Sequence, residues 1–203
     1  MISPAVPTGF RLLPGRLDAR QQLKLVQAVD SIAQAAPFIR PLTPGGKPMS
    51  VLQTGCGPLS WITDRKGYRY EPVHPTTGRP WPPMPSLLLQ LWADLCDAGT
   101  PADACLINRY DAGARMGLHR DTDEADFGFP VLSISLGDTA MFRIGGLSRT
   151  DPTRSLRLAS GDVVVLGGDA RLAYHGVDRI LPGSSRLVPG GGRINLTLRR
   201  ALP

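Results

Sequence analysis

His119 and Asp121 lie two residues apart in MGLHRD, and His175 follows in AYHGV as one of three histidines in the chain. If MGLHRD is extended, the two-residue period of a strand turns the imidazole and the carboxylate to the same side, where they can share one ion. Two histidines and one carboxylate compose the facial triad that holds non-haem Fe(II) and leaves positions open for a cosubstrate and O2. The same spacing also fits a hydrogen-bonded pair on a solvated surface. Support has to come from elsewhere in the chain.

The terminal stretch RINLTLRR offers it. Alternation sorts Ile194, Leu196 and Leu198 onto one face and Arg193, Asn195, Thr197 and Arg199 onto the other. At ~3.3 Å per residue the two arginines are roughly 20 Å apart along an extended strand. That is too far to grip one small carboxylate, but long side chains leaning inward from both could hold the two ends of a short diacid through bidentate pairs. Asn108 and Tyr110 share a face of CLINRY and can hydrogen-bond the same diacid. Read alone, RINLTLRR more often marks an edge strand with a solvated face. Beside an iron triad, the expected diacid is 2-oxoglutarate.

These residues need rigid elements to hold them. After residue 103 the pattern is strand, turn, strand through ACLINRY, MGLHRD, VLSISLG, TAMFRIG, SLRLAS, GDVVVLGG, AYHGV and RINLTLRR. Short strands at close spacing argue an antiparallel sandwich or jelly roll rather than a parallel sheet. Residues 18–36 predict a helix with Asp18 as N-cap, Pro37 as stop, and Leu25, Val29 and Ile32 beside Leu23 and Val26 on its packed stripe. Ser86–Cys96 predicts a second helix carrying Leu88, Leu91, Trp92 and Leu95. Between the helices, residues 41–85 turn rich in Gly, Pro, aromatic and basic residues, as in hairpins with irregular connections.

Composition bounds the rest. The 203 residues are 42% hydrophobic and 20% charged, which excludes a disordered polymer, and 23 glycines with 20 prolines fit many turns. Three widely spaced cysteines without a C-x-x-C pair read as reduced thiols rather than a zinc ribbon or a disulfide frame. A net charge of +6 suits a polyanionic partner without demanding one. No apolar run approaches the ~18 residues of a membrane span, and the N-terminus lacks the apolar core of a secretory signal. A soluble, cytoplasmic monomer is expected.

Taken together, CLINRYDAGARMGLHRDTDE, GGLSRTDP, GDVVVLGG, RLAYHGV and RINLTLR resemble the AlkB family of Fe(II)- and 2-oxoglutarate-dependent dioxygenases. TPGG, MSV, GCG, the Trp61 region, GYRY and RPWPPMP extend the resemblance over residues 41–200. It implies a mostly β fold, a double-stranded β-helix (jelly-roll) core with flanking helices and an N-terminal nucleotide-recognition lid. The single domain 1–203 would divide into an extension and helix (1–40), the lid (41–85), a supporting helix (86–103) and the catalytic core (104–203). Iron ligation falls to His119, Asp121 and His175, and 2-oxoglutarate binding to Asn108, Tyr110, Arg193, Asn195 and Arg199. Trp61, Tyr68, Asp123 and Arg149 match substrate-contacting positions, with Trp61 offering an aromatic face and Asp123 a carboxylate to a cationic base.

The implied activity is oxidative removal of alkyl groups from bases of the 1-methyladenine and 3-methylcytosine type. Single-stranded DNA is the preferred substrate, and formaldehyde, succinate and CO2 are released. Alkylation at a pairing nitrogen also lowers the cost of extruding the base. The alternatives are the same chemistry on RNA or another substrate, and a non-catalytic cupin-like module. Three features depart from the family pattern: Gly55 stands in place of Asn, Lys47 in place of an aromatic residue, and a glycine run, Gly190–Gly192, precedes Arg193.

Overall fold

The structure is a computed structural model that describes residues 6–96 and 99–203; residues 1–5 of the expected extension and 97–98 of the expected supporting segment lie outside it. In chain order β1 (Phe10–Leu13), α1 (Ala19–Ala35), β2 (Leu52–Cys56), β3 (Ser60–Asp64), β4 (Gly67–Glu71) and α2 (Ser86–Cys96) precede the strand-rich half. The eight strands expected after residue 103 follow: β5 (Ala104–Tyr110), β6 (Met116–His119), β7 (Val131–Gly137), β8 (Thr139–Ile144), β9 (Arg154–Leu158), β10 (Val163–Leu166), β11 (His175–Leu181) and β12 (Arg193–Arg199).

The strands form a six-stranded sheet in the order β1-β10-β7-β12-β5-β2, a four-stranded sheet β6-β11-β8-β9, and a separate β3-β4 hairpin. Every strand pair in them is antiparallel, the jelly-roll arrangement that alternation and turn spacing argue for. One face of the large sheet carries Ile107, Ile134, Leu196 and Leu198 against Leu25 and Val29 of α1 and Leu88, Leu91 and Trp92 of α2. Its other face meets the four-stranded sheet through Val164, Leu166, Phe142, Val177 and Ile180. Burying both faces of one sheet in this way leaves the polar side of β12 nowhere to point except between the sheets.

Two details differ from the sequence expectation. The large sheet is not confined to residues 104–203, because β1 pairs with β10 and β2 with β5. Helix α1 starts as expected, with Asp18 accepting from Gln21 N at 2.8 Å while Gln21 Oε1 accepts from Asp18 N at 3.1 Å. Leu23, however, is 49% exposed, so the packed stripe is Leu25, Val26, Val29 and Ile32.

The departing glycines have local causes. At Gly55 an added Cβ would lie 2.0 Å from Ser60 Oγ and 2.9 Å from the Cys105 carbonyl oxygen, so this packing of β2 excludes any side chain. Gly192 has φ +87°, and a Cβ there would meet the Tyr110 carbonyl at 2.8 Å. The turn that launches β12 at Arg193 therefore requires glycine. Lys47 lies exposed in a turn closed by Thr43, whose Oγ1 accepts from Lys47 N at 3.1 Å.

Candidate active site

β6 and β11 pair so that His119 and His175 are direct cross-strand partners, and their rings lie 4.6 Å apart. Asp121 follows in the loop after β6, not in a strand, yet its carboxylate reaches the same point: one ligand atom from each of the three residues lies within 4.8 Å of the others. Both imidazoles have their Nδ1 beside a backbone oxygen, Gly117 O at 2.9 Å for His119 and Ala173 O at 3.0 Å for His175. With Nδ1–H donating there, each Nε2 is left as a lone pair for a metal, the usual way a ligating histidine is fixed in its tautomer. Burial and the neighbouring His119 pull the His175 pKa down to about 4, against the pull of Asp121, so the ring is neutral at pH 7.

Burial would push Asp121 up, but Arg199 and the two histidines hold its carboxyl far below the usual carboxylate range. It is ionised and oriented: Arg199 Nη2 donates to Asp121 Oδ2 at 2.8 Å. The triad thus offers two imidazoles and one carboxylate, the donor set that suits Fe(II).

A cavity of about 290 Å³ opens between the sheets at this cluster, lined by the triad and by Asn108, Tyr110, Arg193, Asn195, Thr197 and Arg199. Arg193 is only 1% exposed. Its Nη2 donates to Ser135 Oγ at 3.0 Å and its guanidinium lies 5.1 Å from the Tyr110 ring centre, but Nε and Nη1 are buried without a partner among the described residues. A buried guanidinium lacking a carboxylate is costly and calls for an anion. Asn108 Oδ1 accepts from Gln53 Nε2 at 2.9 Å, which leaves its amide nitrogen as a donor for the cavity. This pocket fits a carboxylate-bearing cosubstrate on the strength of those orphaned nitrogens.

The other two diacid candidates are engaged within the protein. Arg199 is not free at the far end of the strand, since besides Asp121 its Nε lies 3.2 Å from Glu124 Oε1. The Asn195 amide nitrogen donates to Ser133 Oγ at 2.8 Å and Ile134 O at 3.0 Å, and its oxygen accepts from Thr197 Oγ1 at 3.0 Å. Both line the cavity, but their strongest contacts shape it.

At the mouth, the β3-β4 hairpin brings Trp61 and Tyr68 over the cavity, stacked on one another at 5.4 Å with 14° between their planes. Trp61 Nε1 donates to Asp123 Oδ2 at 2.7 Å. Arg149 is exposed on the β8-β9 connection and is not among the cavity's lining residues. Sequence reasoning missed Glu124, which lines the cavity, and Tyr70 and Arg171, which pack against it. Their only signal was one buried carboxylate hidden in the acidic run DTDEAD and a second tyrosine two residues after Tyr68 in GYRY.

A jelly roll with an open His-Asp-His cluster and an uncompensated arginine in the same pocket is the architecture of a non-haem iron oxygenase that takes an acidic cosubstrate. Residues 9–199 match the 2OG-Fe(II) oxygenase superfamily. The chain is 66% identical over 196 residues to an alpha-ketoglutarate-dependent dioxygenase AlkB homolog of Caulobacter vibrioides (strain NA1000 / CB15N), covering 97% of this chain and 89% of that one. It is 46% identical over 186 residues to the alpha-ketoglutarate-dependent dioxygenase AlkB of Escherichia coli (strain K12), covering 88% and 84%. The solved structure of OsALKBH1 superposes with a TM-score of 0.81 at 28% identity, covering 97% of this chain and all 100% of the other.

The chain therefore belongs to the 2OG-Fe(II) oxygenase superfamily and, within it, to the AlkB dioxygenases. Fe(II) and 2-oxoglutarate are accordingly its cofactor and cosubstrate.

Proposed function

We propose that this dioxygenase repairs alkylated DNA, removing alkyl groups from bases of the 1-methyladenine and 3-methylcytosine type, with single strands preferred. The observation that carries the proposal is the pairing of Trp61 with Asp123 over the cavity that contains the His-Asp-His cluster. An aromatic face beside a carboxylate suits a flat cationic base, and a base alkylated on its pairing nitrogen is such a cation.

His119, Asp121 and His175 would hold the iron. Arg193, with Asn108 and Tyr110, would hold the carboxylate of 2-oxoglutarate remote from the metal. Arg199 and Asn195 would meet the cosubstrate while keeping Asp121 and the cavity wall in place. When bound, Fe(II) with 2-oxoglutarate and O2 supplies oxidation of the N-alkyl carbon, which leaves as formaldehyde while the cosubstrate becomes succinate and CO2.

The protein's share is orientation and exclusion of water. Trp61 and Tyr68 would present the base with its alkyl group toward the metal, and Asp123 would accept from the exocyclic amine. Within residues 41–85 the β3-β4 hairpin would act as the recognition lid, while β2 joins the sheet of a catalytic core whose other strands, β1 apart, begin near residue 104. Residues 86–103 would serve as its supporting helix and residues 1–40 as the N-terminal extension. Arg149, on the exposed β8-β9 connection, would meet the nucleic acid outside the cavity.

No helix among the described residues is long and apolar enough to cross a membrane; a cytoplasmic monomer is part of the proposal. The test is mass spectrometry of single-stranded and duplex oligonucleotides bearing one methylated base, incubated with Fe(II), 2-oxoglutarate and air. A loss of one methyl group matched by succinate is expected, faster on the single strand. Succinate formation that no methylated oligonucleotide stimulates would overturn the assignment.

A further inference from the structure

In the wall of the site and just outside it lies a set of buried charges that the chemistry above does not use. Glu124 and Arg171 have side chains only 2% exposed and meet at 2.9 Å, Arg171 Nη2 donating to Glu124 Oε2. Arg171 also donates from Nη1 to the Asp121 carbonyl at 2.8 Å and from Nε to Phe129 O at 2.8 Å. The second oxygen of Glu124 faces Arg199, the residue that grips the Asp121 carboxylate. That same oxygen accepts from the Tyr70 hydroxyl. Tyr70 is on β4, directly opposite Trp61 on β3.

The hairpin therefore touches the loop after the ligand Asp121 at two adjacent residues. Trp61 holds Asp123, and its cross-strand partner Tyr70 holds Glu124. Only the second contact leads inward: from Tyr70 to Glu124, from Glu124 to Arg199, and from Arg199 to Asp121. A buried carboxylate held by two guanidiniums is already charge-satisfied, so a tyrosine hydroxyl from a different element is not needed for neutrality. It adds geometry: it fixes which way Glu124 Oε1 points, and with it the position of the Arg199 guanidinium.

We propose that Tyr70 is a positioning residue which, through Glu124 and Arg199, makes the seating of the hairpin a condition for the productive orientation of the Asp121 carboxylate at the metal. The proposal deepens the functional reading above and rests on it for the identity of the substrate. A hairpin displaced by an ill-fitting base carries the Tyr70 hydroxyl away, releases Arg199 and turns the ligand. A seated base restores it. Productive oxidation is thereby withheld from a base that does not seat.

The test compares wild type with Tyr70→Phe, which keeps the ring and deletes the hydroxyl, and with Glu124→Gln. The first readout is the visible spectrum of the Co(II)-loaded protein with 2-oxoglutarate and no nucleic acid, because Co(II) bands report ligand geometry without turnover. The second is succinate formed per base demethylated on a single-stranded oligonucleotide carrying 3-methylcytosine. Tyr70→Phe is expected to displace the Co(II) bands and to raise the succinate ratio severalfold, with oligonucleotide affinity within about twofold of wild type. Glu124→Gln should move the bands in the same direction; should it fail to fold, Tyr70→Phe decides alone. Bands identical to wild type in a folded Tyr70→Phe protein overturn the proposal. Displaced bands in a protein whose wild type demethylates nothing would leave the coupling standing and overturn the substrate assignment instead.

Discussion

Asp121 and His119 would bind one metal from very different surroundings. The Asp121 side chain is 8% exposed and paired with Arg199, whereas that of His119 is 41% exposed. Removing either ligand should abolish Fe(II) binding and turnover, but the structural consequences separate. His119→Ala should leave stability near wild type. Asp121→Ala takes a partner from a buried guanidinium, which ordinarily costs 3–5 kcal/mol; because Arg199 keeps Glu124, a loss of about 3 kcal/mol is expected in urea unfolding. Equal stability of the two variants would show that Arg199 does not depend on Asp121.

Arg193 is the inverse case, a charge waiting for its partner. Replacing it with Leu removes a buried unpaired cation, so the ligand-free protein should be as stable as wild type or more so. The benefit of the cosubstrate should then disappear. At 2-oxoglutarate a hundredfold above its wild-type Kd, with a metal that does not turn over, linkage predicts a gain of ~2.7 kcal/mol for wild type. Loss of a bidentate charged pair worth ~3 kcal/mol should reduce that gain in Arg193→Leu to a few tenths. Thermal unfolding with and without 2-oxoglutarate measures both, and an undiminished gain would remove Arg193 from the cosubstrate site.

At the scale of elements, the β3-β4 hairpin delivers its aromatic pair through a contact that substitution can dissect. Asp123→Asn keeps an oxygen to accept from the Trp61 indole but loses the charge; Asp123→Ala loses both. If the carboxylate offsets the charge of a cationic base, Asn should compress the preference for 3-methylcytosine over neutral 3-methylthymine while keeping affinity for the single strand. Ala should also weaken that affinity, by up to the ~1–3 kcal/mol of one stacked base, because the indole is no longer held. Demethylation rates on the two lesions in one sequence context, with binding measured separately, decide it. An unchanged lesion ratio in Asp123→Asn returns the residue to holding Trp61 alone.

Elements were legible where a strand is long and one-sided. The alternation in RINLTLR put Arg193, Asn195, Thr197 and Arg199 on one face, and in the structure that face lines the cavity. β1 was not legible, since FRLL is four residues with no clear period, and β2 reads LQTGC, whose internal glycine interrupts a short strand signal although the strand is almost wholly buried. Spacing also fixes a face and never a partner. It could not show that Arg199 would turn to Asp121 and Glu124, or that one carboxylate of an acidic run would be buried against Arg171.

For the whole molecule, the net charge of +6 acts on encounter rather than on chemistry. Each phosphate neutralised on a single strand contributes ~0.7 to the slope of log affinity against log salt. Arg65 and Lys66 are exposed at the turn of the β3-β4 hairpin and do not line the cavity. On the proposed function, a strand whose base sits at Trp61 would run past them. Replacing both with Gln should lower the salt slope by ~1.4 if each meets a phosphate, and should raise the KM for an oligonucleotide at physiological salt. The kcat should stay at the wild-type value, because neither side chain approaches the metal cluster. At low salt the variant and wild type should diverge most, since screening lengthens to ~30 Å at 0.01 M and long-range attraction is then strongest. Binding of one methylated single strand across a salt series gives the slope directly. A slope equal to wild type would place the backbone elsewhere on the molecule, with Arg149 on the exposed β8-β9 connection the next position to test.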